Sequence, residues 1–274
     1  MGPDYVRPML TFRLPTNLGL LRVGIHLLYG ALQVSLLYPL SGAGTRQRLR
    51  VRWSRRLLEL LGIRIEAAKS IASGLDSGLL VANHVSFVDI FLINALLPSA
   101  FVAKSDVARW PLISWLARRN DTVFIERGKP KSARQIQQEI GAALSAGRRL
   151  SVFPEGTTSA GDRVLPFHSA LFQAAIDAGT PIHALAIDYM DAQGQPSVAA
   201  AYIGDLSLIQ CLRQILGSGG LRVRLRLAAS FAPPFADRRH VAHAAHQAVA
   251  AVLRQRPANP VPMQSLRNAA AISP

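Results

Sequence analysis

Hydrophobic positions follow two regimes along the chain, and the change comes near Arg64. Ahead of it, Val23 to Leu40 reads VGIHLLYGALQVSLLYPL without a formal charge, and Leu18 to Leu21 continue the apolar run beyond Arg22. A run of 18 uncharged residues is at the lower limit for a helix crossing a bilayer. His26, Gln33 and Ser35 count against a simple span. The strongly basic flank, Arg46, Arg48, Arg50 and Arg52, follows the run, which is the wrong side for a cleaved signal peptide. The pattern predicts a membrane-embedded or re-entrant helix, with a helix buried in a soluble core as the alternative. Thr45 to Ile63 then has helical spacing of Leu49, Trp53, Leu57, Leu60 and Leu61. Arg46, Arg50, Arg52, Arg55 and Arg56 fill the remainder, and Gly62 is a stop signal. A basic amphipathic helix of this kind lies in the headgroup layer with Trp53 and the leucines inserted, or packs on the domain as an ordinary surface helix.

Beyond Arg64, short apolar runs alternate with helical stretches. Leu79–Ala82, Ala100–Ala103, Thr122–Ile125, Leu150–Phe153 and Ile182–Ile187 are candidate strands, and Leu221–Leu227 alternates arginine with apolar residues as a half-exposed strand does. Val88–Leu97, Pro111–Arg118, Ser132–Ala146 and Phe167–Ala178 read as helices, and His240, His243 and His246 fall on an Ala-rich helix. The alternation predicts an α/β domain whose helices cover a sheet. Four regions result: a loose, Pro-containing arm over 1–16, membrane-associated helices over 17–63, an α/β domain over 64–256, and a poorly ordered tail over 257–274.

Charge adds a partner to this picture. With 31 Lys+Arg against 16 Asp+Glu the formal charge is +15. Only Lys69, Lys104, Lys129 and Lys131 are lysines, so the excess is mainly guanidinium, suited to paired contacts with phosphate or carboxylate. Nucleic acid, a phospholipid surface and a phosphorylated substrate all fit, and the two N-terminal segments favour the membrane. Aromatics interleaved with arginine, the mark of a single-strand binding surface, are not evident. Half of the residues are apolar, which excludes disorder, and a lone Cys211 excludes an internal disulfide or a cysteine-rich zinc site.

Candidate chemistry begins at Leu79-Leu-Val-Ala-Asn-His-Val-Ser-Phe-Val-Asp89. Within one helix, residues five apart diverge by about 140°. If His84 lies in the turn before the helix and Asp89 in its first turn, the imidazole can bend back to the carboxylate. One ring nitrogen is then held protonated and the other is free to accept a proton. Ser86-x-x-Asp89 also fits a helix N-capping pattern. A His-x4-Asp pair arises by chance about 0.3 times in a chain of this composition, so the pair alone decides little.

Its company decides more. Phe124-Ile-Glu-Arg127-Gly128, Phe153-Pro-Glu-Gly-Thr-Thr-Ser159 and Gly179-Thr-Pro-Ile182 follow in order, with Phe101-Val-Ala-Lys-Ser-Asp-Val-Ala-Arg-Trp-Pro111 after the first motif. From about Arg64 to Asp188 the arrangement resembles the glycerolipid acyltransferase family, which includes the lysophosphatidic acid acyltransferases. The resemblance implies a mixed sheet covered by helices. It implies His84 as catalytic base and Asp89 as its orienting partner. It also implies that Arg127, Glu155, Gly156 and Thr157 contact the acceptor, with Lys104 a weaker candidate. The implied reaction is O-acyl transfer from acyl-CoA or acyl carrier protein to the free hydroxyl of a lysophospholipid, with no cofactor, metal or nucleic acid. The implied setting is the inner membrane, with the catalytic domain on its cytoplasmic face.

Several positions depart from the family pattern. Thr158 stands where many relatives carry a basic residue, His168 where lysine is common, Ala170 where glycine is common, and Ala184 where a second proline is expected. These differences leave the reaction type intact and loosen the acceptor, so a related bacterial branch that acylates lyso-ornithine lipid competes with lysophosphatidic acid. A nonenzymatic basic membrane- or nucleic-acid-binding protein would explain the charge but not four ordered blocks. A hydrolase would need separated triad partners that Ser86 and Ser159 lack. Cys211 lies outside all four blocks, and the histidines at 240, 243 and 246 have no accompanying carboxylate beyond Asp237.

Overall fold

The computed structural model describes residues 15–67, 75–104, 115, 119, 123–125 and 130–255. The expected arm falls outside them except for its last two residues. The tail from Pro257 also falls outside, as does the helix expected over Pro111–Arg118 apart from Trp115.

Helix α1 (Thr16–Leu36) and helix α2 (Ala43–Leu60) form a hairpin. One side of α1, Gly19, Val23, His26, Gly30, Gln33 and Val34, is buried against the protein. Leu18, Leu21, Ile25, Leu28, Tyr29, Leu32 and Leu36 occupy the opposite side and are 41–63% exposed. At 100° per residue these are two separate stripes, with the exposed Arg22 at the edge between them.

A reciprocal clasp joins the helices. His26 Nε2 donates to the Trp53 carbonyl at 3.0 Å, and Trp53 Nε1 donates to the His26 carbonyl at 3.1 Å. The two rings stack with centroids 4.9 Å apart. Gly30 makes this approach possible, because a Cβ there would lie 2.4 Å from Trp53 Nε1.

The apolar side of α2 does not point outward, contrary to the inserted orientation considered for Trp53 and the leucines. Trp53 clasps α1 and meets Phe91 edge-on, while Leu57 and Leu61 are core residues. Burying them in the domain removes their apolar area from water without a lipid. The outward side of α2 is Arg46, Arg48, Arg52, Arg55 and Arg56.

The strands are β1 (Ile63–Ala67), β2 (Gly78–Ala82), β3 (Ala100–Lys104), β4 (Val123–Ile125), β5 (Arg149–Val152), β6 (Ile182–Asp191) and β7 (Leu221–Phe231). They form one mixed sheet in the order β1-β7-β6-β2-β5-β3-β4, with β6 and β7 antiparallel and every other neighbouring pair parallel. β1 was not expected. It is a five-residue edge strand in which Arg64 and Glu66 alternate with Ile63 and Ile65, directly after a helix, so its period is too short to stand out.

Helix α3 (Val88–Leu96) follows β2, and α4 (Pro130–Ser145) precedes β5. The helix expected over Phe167–Ala178 is shorter, a 3₁₀ turn at Ser169–Phe172 running into α5 (Gln173–Asp177). His168 N–H bonds the Pro154 carbonyl at 2.9 Å and holds the first residues extended. Helix α6 (Leu208–Gly217) was not expected, although Ser207 and Gln210 form a complete capping box at its start. Helix α7 (Arg238–Arg254) closes the described chain.

The sheet separates two apolar layers. Leu80 and Ala82 face α1, α2, α3 and α6, whereas Leu79 and Val81 face α4, α5 and α7. All five residues of β2 are buried, as expected of a central strand covered on both faces. In open parallel arrangements of this kind, ligands bind outside the carboxyl ends of the strands.

The clasp gives a direct test. Gly30→Val should lower the melting temperature of detergent-solubilised protein, with overpacking costing about 1–3 kcal/mol. Gly24 lies on the same helix, and a Cβ added there would meet nothing within 4 Å, so Gly24→Ala should hold or raise stability by up to about 1 kcal/mol. Equal melting temperatures for Gly30→Val and wild type would contradict the clasp.

Candidate active site

At the carboxyl end of β2 the chain leaves the sheet as Asn83, His84, Val85, Ser86 and Phe87 before α3 begins. Asn83 prolongs the ladder by side chain. Its Nδ2 donates to the Ile187 carbonyl at 2.9 Å and its Oδ1 accepts from Ile187 N–H at 2.8 Å. The next residue is therefore launched from a fixed point.

Asp89, in the first turn of α3, reaches back over the loop. Its Oδ2 accepts from His84 Nδ1 at 2.9 Å, from Val85 N–H at 2.7 Å and from Ser86 N–H at 2.9 Å. The pair predicted from spacing is thus formed in the predicted way, with the histidine ahead of the helix. Ser86 is not a side-chain cap: Phe87 occupies the N-cap position and no side-chain cap bond is made. The Asp89 carboxylate satisfies the loop amides instead, beside the positive end of α3. Because an ionised carboxylate only accepts, the Nδ1 proton is fixed and Nε2 carries the lone pair.

Other contacts immobilise the imidazole. Phe153 stacks on it with ring centroids 3.9 Å apart and planes 9° from parallel. The His84 N–H donates to Glu155 Oε1 at 3.2 Å, while Ser159 N–H donates to the His84 carbonyl at 2.8 Å. Residues of the third block therefore grip both sides of the His84 peptide.

Glu155 is 4% exposed, and its Oε2 has no hydrogen-bond partner among the described residues. Burial, and secondarily the nearby Asp89 charge, push its carboxyl up to about 8 against the pull of backbone N–H donors. Glu155 is thus largely protonated near neutral pH. A carboxyl kept neutral in this way does not repel a phosphate.

The remaining candidates divide. Gly156 is in the left-handed region, φ 68°, and its N–H closes the turn onto the Phe153 carbonyl at 3.0 Å. Thr157 is exposed beside it. Thr158, at the position where a basic residue was expected, turns inward and donates to the Tyr202 carbonyl. The backbone of Lys104 ends β3 in register with Ile125 of β4. The Lys104 side chain and the whole of Arg127 lie outside the described residues. The three histidines of α7 do not converge: His246 donates to the Val164 carbonyl at 3.2 Å, and His243 pairs with Gln247.

Sequence reasoning missed Tyr189, whose hydroxyl donates to Asp89 Oδ1 at 2.6 Å. The expected strand stopped at Ile187, two residues before Tyr189 and four before the end of β6. Carrying its alternation onward from Leu185 and Ile187 would have put Tyr189 on the face that holds α3. Burial, with the Asp89 charge, keeps this phenol protonated well above its usual range. Cys211 is also buried, which pushes its thiol up to about 11. It is therefore unsuited to nucleophilic attack.

The chain is similar to several known proteins. Residues 63–188 match the family model described as Acyltransferase. The chain is 37% identical over 246 residues to a lyso-ornithine lipid O-acyltransferase of Pseudomonas aeruginosa, covering 89% of this chain and 93% of that protein. It is 35% identical over 181 residues to a 1-acyl-sn-glycerol-3-phosphate acyltransferase of Neisseria meningitidis, covering 66% and 71% respectively. Among solved structures, the 1-acyl-sn-glycerophosphate acyltransferase PlsC of Thermotoga maritima superposes with a TM-score of 0.61 at 19% identity, covering 89% of this chain and all of that one.

The Glu155 environment makes stability pH-dependent. From 4.5, the ordinary value, to about 8, the folded protein keeps a proton that the unfolded chain releases. Stability should therefore fall as pH rises through that interval, by about a few kcal/mol. Thermal melts across pH 5–8 should show this decline in wild type and a flatter profile in Glu155→Gln. Parallel profiles would show that Glu155 is not the group responsible.

Proposed function

We propose that this chain, which belongs to the acyltransferase family, transfers an acyl group from an acyl thioester to a lysophospholipid hydroxyl, with His84 as the general base that deprotonates that hydroxyl. The observation that carries the reading is the His84–Asp89 pair, 2.9 Å apart, with the imidazole accessible and the carboxylate fully buried. His84 Nε2 takes the acceptor hydroxyl proton as that oxygen bonds to the thioester carbonyl carbon. Asp89 stabilises the imidazolium. Collapse of the tetrahedral intermediate breaks the C–S bond, and the imidazolium returns the proton to the departing thiolate of coenzyme A or acyl carrier protein. The atoms balance without an acyl-enzyme.

For the acceptor, 1-acylglycerol-3-phosphate is the leading reading, with Arg127 facing its phosphate and Glu155, Gly156, Thr157 and Lys104 around it. Two observations favour lyso-ornithine lipid as a second reading. The Pseudomonas aeruginosa relative aligns over nearly its whole length, and Thr158 offers neither a charge nor an outward hydroxyl to a phosphate.

The protein associates with membranes through the α1–α2 hairpin. The outward leucine stripe of α1 supplies apolar area, and the α2 arginines supply charge for anionic headgroups. One side of α1 is committed to the domain, which supports a helix lying along the surface rather than crossing it. The cytoplasmic face of the inner membrane is the setting we assign.

Labelled acyl-CoA and acyl carrier protein offered with a panel of lysolipids test the reaction. His84→Ala should lower kcat/KM at least about 10³-fold, and Arg127→Ala should chiefly raise KM for a phosphate-bearing acceptor. Full activity in His84→Ala would remove the base assignment. In flotation with anionic vesicles, Leu28→Glu with Leu32→Glu should release folded protein from the vesicles. Unchanged flotation would remove α1 as the contact.

A further inference from the structure

The Asp89 carboxylate has two oxygens with different duties. Oδ2 serves the His84 ring and two loop amides, whereas Oδ1 receives the Tyr189 hydroxyl at 2.6 Å. Asp89 and Tyr189 are 0% and 3% exposed, so water cannot substitute freely. Tyr189 is also rigidly placed. It lies in β6, two residues beyond the Asn83–Ile187 link to β2, and its carbonyl accepts Ser197 N–H at 3.0 Å. The titratable groups around the carboxylate are His84, Glu155 on the turn after β5, Tyr189 on β6 and Cys211 on α6. Tyr189 is the one that donates to Oδ1.

We infer that Tyr189 is a positioning residue for the acyl transfer, acting through Asp89 to set the orientation and basicity of His84. Resting on the proposed role of His84, this adds a residue outside all four sequence blocks. A phenol on Oδ1 fixes the carboxylate plane, so that Oδ2 points at Nδ1 and Nε2 is aimed outward. It also draws negative charge from the oxygen that faces the imidazole. Loss of this donor leaves Oδ1 buried and unpaired, and the imidazolium then becomes more tightly held.

Tyr189→Phe retains the ring and removes the donor. It should lower kcat about 10- to 100-fold, with KM for donor and acceptor within about twofold of wild type, since the phenol touches neither substrate. The acid limb of the kcat/KM profile should move to higher pH. Site-specific 3-fluorotyrosine at 189 keeps the shape and makes the phenol a stronger donor, and should move the same limb to lower pH. A residue that merely fills the core would give no such opposed pair of shifts. Wild-type kcat and an unmoved limb in Tyr189→Phe would overturn the inference, as would an unmoved limb with 3-fluorotyrosine if Tyr189→Phe fails to fold. If His84→Ala is inactive while Tyr189→Phe is unchanged, this inference fails alone. An active His84→Ala removes the reading beneath it.

Discussion

A buried carboxylate is the constraint around which the catalytic end of the sheet is arranged. Removing an ion from water costs several kcal/mol unless partners replace the solvent, and Asp89 is fully buried. Its replacement shell comes from four directions: the imidazole of His84, the amides of Val85 and Ser86, and the phenol of Tyr189. Three of these donors come from one loop and the fourth from β6. The loop must turn its amides inward, α3 must begin at Val88, and β6 must extend to Tyr189. The Asn83 side chain must keep β6 in register after the backbone ladder ends. The geometry of His84 is therefore a by-product of satisfying Asp89.

Two blocks of sequence and one segment outside the blocks converge on the His84–Asp89 pair by different means. The first supplies His84 and its carboxylate. The third supplies Phe153 as a stacking surface, with Glu155 and Ser159 as clamps on the peptide. The region after the fourth supplies Tyr189. Glu155 and Asp89 show how environment separates two like groups. One is given charge-stabilising donors on both oxygens. The other has a single well-placed oxygen and a second without a partner among the described residues, and is neutralised by burial.

Much of this was legible beforehand, for identifiable reasons. The central strands are continuous apolar runs, so Leu79–Ala82 and Leu150–Phe153 could be found within a residue or two. His84 and Asp89 could be paired because the helix start was visible between them. What escaped depended on tertiary contacts. The extra residues of β6 are set by pairing with β7 as far as Asp191↔Leu221. The inward side of α2 follows its own apolar pattern, but what it meets, His26 of α1 and Phe91 of α3, does not. Helix α1 shows the limit most clearly. Its composition said only that it was apolar, whereas which stripe meets protein is decided by the small residues Gly19 and Gly30, against which Leu216 and Trp53 pack.

The sole cysteine in the chain acquires a practical meaning from where it lies. Cys211 sits fully buried on α6, donates to the Ala200 carbonyl, and has its thiol held far from ionisation. A soluble alkylating reagent therefore modifies it only when the packing of α6 under the His84 loop opens. Its rate of modification is then a clock for local opening, built into the native sequence and requiring no added label.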